Sequence, residues 1–263
     1  MGVLNVTPDS FYGPSRVLDP NVALERARQM TADGADILDI GGESSRPGSD
    51  PLSVGDELER VVPVLEALSG RGLRISIDTY HAETARRAIE LGATMVNDIT
   101  ALRGDPEMAE VVAESGAECV LMHMLGTPKT MQTDPKYGDV VDDICAFFEE
   151  RIGFACKAGI AEDRIWIDPG FGFGKKVGHN LEVLRRLAEF KRFSRPLLVG
   201  TSNKSTIGAV LAMASEDDRT EGTAATVAIA VMNGADAVRV HDVRAMARVA
   251  RMCDAVTGGW END

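Results

Sequence analysis

The stretch ISIDTYHAETARRAIELGATMVND, residues 75–98, contains one complete strand–helix–strand unit that indicates the fold class. It begins and ends with short apolar runs that finish on polar side chains, ISID at 75–78 and MVND at 95–98. Residues 82–91 between them have the pattern of a helix, and the Gly92-Ala93 pair that follows is a helix stop signal. This order predicts two parallel strands joined by a crossover helix.

The same pattern recurs along the whole chain. Eight short apolar runs predict strands: GVLN at 2–5, ILDI at 37–40, ISID at 75–78, MVND at 95–98, CVLMH at 119–123, IWID at 165–168, LLVG at 197–200 and AVRVH at 237–241. Helices are predicted between and after them, at 21–33, 54–68, 82–91, 106–115, 140–158, 180–193, 222–233 and 243–256. Eight such units in 263 residues match an α/β protein with a (β/α)8 TIM barrel, and no linker divides residues 1–263 into more than one domain.

In a barrel of this kind the active site lies at the carboxyl ends of the strands. The polar residues that this chain places there are Asn5, Asp39, Asp78, Asn97, Asp98, His123, Asp168, Arg239 and His241. A carboxylate such as Asp78 beside an amide such as Asn97 suits a ligand rich in ring N–H and amino donors. Capping of the next helix is the alternative role for such acids.

Composition limits the function classes. The net charge of −13 disfavours non-specific nucleic-acid binding, because neutralising phosphates needs a basic surface. No apolar run reaches membrane length and no leader-type segment precedes the first strand, so we expect no membrane partner and a cytoplasmic location. The four cysteines lack metal-type spacing and are expected to be reduced thiols.

Three loops after strands carry candidate chemistry. In GGESSRPG at 41–48, Arg46 suits a carboxylate or phosphate, with a solvated surface arginine as the alternative. DPGFGFGK at 168–175 matches neither dinucleotide nor Walker patterns, and we interpret it as a loop that fixes Asp168 and offers Phe173 as an apolar wall. GTSNKS at 200–205 has the features of an anion or carboxylate site at a helix N-terminus.

The histidines point to different roles. Arg239 and His241, two residues apart on one strand face, suit a pyrophosphate clamp; a solvated arginine and a satisfied histidine are the alternative. His123 is expected to support the site through a polar contact, and His81 and His179 to cap helices. No Ser-His-Asp or Cys-His pattern is present in the sequence, so no covalent enzyme intermediate is expected.

Several of these segments together resemble the dihydropteroate synthase family of the pterin-binding barrel superfamily. They are, in family order, MGVLNVTPDSF at 1–11, GGESSRPG at 41–48, SIDTY at 76–80, VNDI at 96–99, LMHMLGTPKTMQ at 121–132, DPGFGFGK at 168–175, GTSNKS at 200–205 and RVHDV at 239–243. The resemblance implies condensation of 6-hydroxymethyl-7,8-dihydropterin pyrophosphate with p-aminobenzoate, giving 7,8-dihydropteroate and pyrophosphate. It also implies a homodimer, sulfonamide binding and a requirement for Mg²⁺.

The resemblance assigns a role to each site residue. The residues implied for the pterin are Asp39, Asp78, Asn97, Asp168, Lys204 and Arg239. Those implied for the pyrophosphate are Asn5, Arg46, Arg239 and His241, with Asn5 also holding Mg²⁺. Those implied for p-aminobenzoate are Phe11, Ser45, Arg46, Pro47, Phe173, Lys204 and Ser205. The residues implied to act in catalysis are Asp78, Asp168, Lys204, Arg239 and His241.

The chain departs from the family pattern at a few positions. Gly13 stands where the first loop usually has an aspartate, and Asn203 where the seventh loop usually has an arginine. Leu125 replaces a common glutamine and Ser45 a common threonine. The replacements at Gly13 and Asn203 keep open a pterin-binding paralogue with little or no turnover. A methyltetrahydrofolate-type methyltransferase on the same barrel is the other alternative, since it shares pterin recognition through Asp and Asn at strand ends.

Overall fold

The computed structural model describes residues 1–6, 19–44, 48–214 and 218–258. Eight strands run in chain order: β1 Gly2–Asn5, β2 Leu38–Gly41, β3 Ile75–Asp78, β4 Met95–Asp98, β5 Glu118–Met122, β6 Ile165–Asp168, β7 Leu198–Val199 and β8 Ala237–Val238. The α-helices are α1 Pro20–Ala32, α2 Val54–Leu68, α3 Ala82–Glu90, α4 Met108–Ser115, α5 Val140–Lys157, α6 Val177–Arg185, α7 Ser205–Leu211, α8 Thr220–Met232 and α9 Val243–Gly258. Strands and helices alternate as the sequence predicts, except that two helices, α7 and α8, lie between β7 and β8 and only the second of them is predicted.

The strands form a ring. Strands β1 to β6 pair in sequence order, all parallel, and β7 pairs with β8. Two isolated parallel bridges, Ile167 with Leu197 and Gly2 with Val240, join these two sheets at both edges. The predicted (β/α)8 barrel is therefore confirmed, and the strand carboxyl ends lie together at one end of it.

The inside of the ring is apolar at the amino ends of the strands, which we call the base of the barrel, and polar at their carboxyl ends. Six residues that lie in or directly before strands form one buried apolar cluster inside the ring: Met1, Ile37, Met95, Val120, Trp166 and Leu198. Because side chains two residues apart point to the same side of a strand, the next inward positions above Ile37, Met95 and Trp166 are Asp39, Asn97 and Asp168. The alternation of side chains thus places polar groups inside the barrel at the carboxyl ends of the strands.

The helices cover the outside of the ring with apolar faces. Helix α2 begins at Val54 and ends at Leu68, as the sequence predicts, and it buries Val61, Val64, Leu65 and Leu68. Its N-cap is Ser53, whose side chain accepts a hydrogen bond from the Asp56 amide. The glycines that follow five predicted helices all have positive φ, as expected of helix stops: Gly34, Gly92, Gly116, Gly159 and Gly234. Among the described helices, none combines the length and hydropathy needed to cross a bilayer.

The predicted helix 180–193 is wrong in detail. It is α6, which starts three residues earlier at Val177, followed by a 3₁₀ segment Leu187–Phe193. Side chains three apart lie one above the other in a 3₁₀ helix, and this tighter winding places Leu187 and Phe190 together in the buried core. Strands β7 and β8 are also shorter than the predicted 197–200 and 237–241.

Candidate active site

An arginine at the end of β8 links the ends of β2 and β3 across the ring. Arg239 donates from Nε to Asp39 Oδ2 at 2.6 Å and from Nη2 to Asp78 Oδ2 at 2.7 Å. Asn97, at the end of β4, donates from Nδ2 to the same Asp39 oxygen at 3.1 Å. Four predicted pterin residues from four strands are therefore brought together in one network.

Burial sets the charges of this network. Burial raises the pKa of Asp78 to about 7, although the Arg239 charge opposes this effect. Burial alone lowers the pKa of Arg239, but the carboxylates of Asp39 and Asp78 outweigh it and the pKa lies above its ordinary value. The arginine therefore stays charged, while Asp78 changes protonation near neutral pH.

Two buried side-chain oxygens, one on β2 and one on β3, have no hydrogen-bond partner within the described part of the chain. They are Asp39 Oδ1 and Ser76 Oγ, neighbours in the β2–β3 register. A buried polar atom without a partner costs about 1–3 kcal/mol. The second oxygen of Asp39 therefore has a hydrogen-bonding capacity that no described residue fills.

The loop after β6 fixes Asp168, as the sequence predicts. The Gly170 amide donates to Asp168 Oδ1 at 2.7 Å, and burial raises the pKa of Asp168 to about 6. Gly170 has φ +67°, and a Cβ there would lie 1.9 Å from the His123 carbonyl oxygen. Only glycine fits this close approach of two backbone segments.

The side chain of Phe173 from the same loop forms an apolar wall. Its ring is buried among Ile99, Met122, Met124 and Met131. Lys204, from the turn after β7, places its Nζ 4.2 Å from the centre of that ring, a cation–π distance. Burial and the nearby Arg239 charge lower the pKa of Lys204 to about 8. A flat aromatic ligand beside Phe173 would therefore lie next to a cation.

Sequence reasoning missed the organising role of Lys175. Its ammonium is buried and lies 2.9 Å from His123 Nδ1, and it donates to the carbonyl oxygens of Gly170 and Phe173 at 3.0 Å each. Burial and the charges of Lys175 and Arg103 hold the pKa of His123 well below its ordinary value, so His123 accepts this bond as a neutral ring. The sequence showed a lysine at the loop's end but not the carbonyl groups that surround it.

His241 lies against the turn after β7. Its Nδ1 is 2.9 Å from Ser202 Oγ, and its backbone amide donates to the same oxygen at 3.2 Å. Asn5 ends β1, half-buried and in register with Gly41 of β2, and Ser205 is exposed at the first residue of α7. These three residues thus lie on the strand-end side of the ring, as predicted.

Several predicted residues fall outside the described residues. They are Phe11, Ser45, Arg46 and Pro47, together with the departure at Gly13. Asn203 is described and has φ +57°, a left-handed conformation that asparagine adopts more readily than most residues. Its carbonyl oxygen accepts a hydrogen bond from Arg219 at 2.9 Å, so a guanidinium lies near this position although the family arginine is replaced.

The two histidines expected to cap helices behave differently. His179 accepts the Lys176 amide at 3.2 Å and so caps α6. His81 occupies the N-cap position of α3 but makes no side-chain cap; its Nδ1 contacts Glu57 Oε2 at 2.8 Å. The capping interpretation of His81 is wrong because the buried Glu57 carboxylate is the stronger partner, and this hydrogen bond raises the pKa of His81.

Comparison with known proteins places this geometry among known enzymes. A family model described as pterin binding enzyme matches residues 1–241. The Escherichia coli dihydropteroate synthase is 45% identical over 263 residues, covering 100% of this chain and 93% of that protein. The Bacillus subtilis dihydropteroate synthase is 43% identical over 97% of this chain and 87% of its own length.

Solved structures give the same result. A Yersinia pestis dihydropteroate synthase in a sulfonamide drug complex superposes with a TM-score of 0.92 at 42% identity, covering 98% of this chain and 94% of that one. A Thermus thermophilus dihydropteroate synthase in complex with 4-aminobenzoate superposes with a TM-score of 0.86 at 43% identity, covering 97% and 93%. The whole chain, and not one motif, is thus shared with these proteins.

Proposed function

The chain belongs to the pterin-binding enzyme family, and we propose how its strand-end residues carry out the dihydropteroate synthase reaction of its relatives. Its function is that of a dihydropteroate synthase, a transferase of folate biosynthesis. The reaction joins 6-hydroxymethyl-7,8-dihydropterin pyrophosphate to p-aminobenzoate and releases pyrophosphate. The single observation that best supports a pterin site in this chain is the pair of hydrogen bonds from Arg239 to Asp39 and Asp78 inside the carboxyl end of the barrel.

The pterin ring is held by acceptors at the strand ends. Asp78, Asn97 and Asp168 face its amino and ring N–H donors, with Asp39 behind them. The unpartnered Oδ1 of Asp39 supports this assignment because it lacks a donor within the described residues. Arg239 and Lys204 lie beside the ring, where Arg239 keeps its charge at neutral pH.

Catalysis then depends on charge placed around the breaking C–O bond. As pyrophosphate leaves the pterin methylene, Arg239 and His241 stabilise its negative charge, together with Arg46. Asp78 and Asp168 stabilise the cation that develops on the conjugated pterin. The amino group of p-aminobenzoate attacks the methylene, and its proton is released to solvent. Positioning and electrostatics thus replace a strong base.

A magnesium ion fits the donor chemistry at Asn5. Mg²⁺ keeps several waters and binds through one or two protein oxygens plus substrate phosphates, so one amide oxygen at the end of β1 is a sufficient anchor. When bound there, the ion would neutralise pyrophosphate charge. Removal of the ion with a chelator is expected to slow turnover.

p-Aminobenzoate occupies the wall formed by Phe173, Lys204 and Ser205, with Phe11, Ser45, Arg46 and Pro47 from the first two loops. The Thermus thermophilus relative binds 4-aminobenzoate and the Yersinia pestis relative binds a sulfonamide drug. We propose that both ligands share this subsite in the present chain. The cation over the Phe173 ring supports it, because both ligands are flat aromatic rings with an acidic or polar group.

The oligomeric state and location are further parts of the proposal. Helices α8 and α9 expose large apolar side chains, Ile229, Met232, Met252 and Val256, which support a homodimer through these helices. Met246, the third methionine of this region, is buried in the core instead. Four free cysteines support a reducing compartment, the cytoplasm.

Product formation tests the proposed function. The purified chain is incubated with dihydropterin pyrophosphate and p-aminobenzoate, with Mg²⁺ or with a chelator, and dihydropteroate is measured by mass spectrometry. Product that depends on Mg²⁺ is expected. Binding of the pterin pyrophosphate without any product would instead favour the non-catalytic paralogue, for which the replacements at Gly13 and Asn203 are the specific observation.

A further inference from the structure

A buried asparagine outside the set of substrate-binding residues connects two loops of the site. Asn180 lies in the first turn of α6 and is 1% exposed. Its Oδ1 accepts the Gly172 amide at 2.8 Å, and its Nδ2 donates to Thr206 Oγ1 at 2.8 Å. A longer contact of 3.5 Å reaches the Lys175 carbonyl oxygen. One side chain thus bonds the loop after β6 and the first turn of α7.

The two partners of Asn180 are the immediate neighbours of substrate-facing residues. Gly172 precedes Phe173, and Thr206 follows Ser205. The two loops also meet directly, since a Cβ on Gly172 would lie 3.2 Å from Lys204 Cδ. The spacing between Phe173 and Ser205 therefore depends on the amide that joins the residues beside them.

The polarity of Asn180 is costly unless both of its bonds are made. A buried amide that loses a partner destabilises a fold, whereas an apolar side chain of similar volume carries no such penalty. Two well-aligned bonds at 2.8 Å show that this amide is satisfied by the two loops together. The arrangement holds the loops at one distance, which apolar packing alone does not specify.

We propose that Asn180 is a positioning residue. It sets the distance between Phe173 and Ser205 on the two sides of the p-aminobenzoate subsite and so determines the affinity for p-aminobenzoate. This inference rests on the proposed function, in which Phe173 and Ser205 form that subsite. Asn180 contacts neither substrate and acts through Gly172 and Thr206.

Steady-state kinetics with both substrates tests this role. Asn180→Leu removes both hydrogen bonds at similar volume, and Thr206→Val removes one bond with an isosteric side chain. We expect the KM for p-aminobenzoate to rise about tenfold in Asn180→Leu and by less in Thr206→Val, because a misplaced wall weakens binding. The KM for dihydropterin pyrophosphate should stay within about twofold of wild type in both variants, since the pterin carboxylates are untouched.

A matched control separates positioning from stability. Asn233, which follows α8, donates from Nδ2 to the Leu184 carbonyl oxygen at 2.8 Å. Leu184 lies near the carboxyl end of α6, the helix that carries Asn180 in its first turn. Asn233→Leu should lower Tm without changing either KM. The inference is overturned if both KM values rise together, or if the p-aminobenzoate KM is unchanged, in Asn180→Leu; if that variant does not fold, Thr206→Val decides in the same way. Absence of product from the wild-type chain would contradict the proposed function itself. An active wild-type chain together with unchanged KM values in Asn180→Leu would contradict only this inference.

Discussion

At the residue scale, the site depends on the charges that burial permits. Arg239 is paired with two carboxylates and stays protonated, whereas Asp78, Asp168 and Lys204 have pKa values shifted toward neutrality. Ligands that bring opposite charge or hydrogen-bond donors stabilise the ionised forms of these groups. The protonation of the site and the binding of its substrates are therefore coupled.

His241 provides the first residue-level prediction. In His241→Ala, calorimetry should show dihydropterin pyrophosphate binding weakened about tenfold, because a donor to the leaving group is lost. The affinity for hydroxymethyl dihydropterin without the pyrophosphate should be unchanged. Equal affinity of wild type and variant for the pyrophosphorylated substrate would reject the clamp.

Asp78 gives a prediction for pH dependence. Burial raises its pKa from an ordinary value of 3.8 to about 7, so between these values the folded state binds a proton that the unfolded state lacks. This carboxyl therefore stabilises the fold most at pH below 4, and its contribution is lost as the pH rises to 7. Asp78→Asn should remove this contribution, so the free energy of unfolding, measured in urea, should decrease less between pH 4 and 7. An unchanged slope in the variant would contradict the buried, protonated Asp78.

At the element scale, the recurring strand–helix pattern made most of the site predictable. Polar residues at the ends of short apolar runs are a local pattern, and this pattern located Asp39, Asn97 and Asp168 from the sequence alone. Lys175 and Asn180 were not assigned roles, because their partners lie up to 52 residues away in other loops. The prediction that His81 caps a helix was wrong for the same reason, because its partner Glu57 lies 24 residues away on α2 and the local sequence of α3 does not indicate it.

The loop after β6 gives the element-level prediction. Gly170 and Gly116 both have φ +67°, but a Cβ on Gly170 meets the His123 carbonyl oxygen, while Gly116 has nothing within 4 Å. Gly116→Ala should cost about 1 kcal/mol from backbone strain alone. Gly170→Ala should cost about 2–4 kcal/mol, because overpacking adds to that strain. Urea unfolding of both variants measures the difference, and equal losses would show that the close approach is relieved cheaply.

At the scale of the whole molecule, the barrel separates stability from chemistry. Its amino-terminal end is filled by apolar side chains that lie in or directly before six strands, and its helices pack buried apolar faces against the ring. Exposed apolar side chains remain on α8 and α9, on the outer surface. Substitutions there should change assembly without disturbing the strand-end residues.

The proposed dimer can be tested at these helices. Ile229→Asp combined with Met252→Lys should convert a dimer to a monomer in analytical ultracentrifugation, because both side chains are exposed and apolar in the single chain. Leu181→Asp, at an exposed apolar position on α6, is the control and should leave the dimer intact. A wild-type chain that sediments as a monomer would contradict the homodimer.

We propose that the strand-end carboxylates and Lys204 form the pterin site of a working synthase. Asp168→Asn keeps the bond from the Gly170 amide but removes the charge, and Lys204→Ala removes the cation beside Phe173. Dihydropteroate formation measured by mass spectrometry should fall by about 100-fold or more in each variant, mainly through loss of pterin binding. Near-normal product formation in either variant would show that the substituted residue is not part of the pterin site.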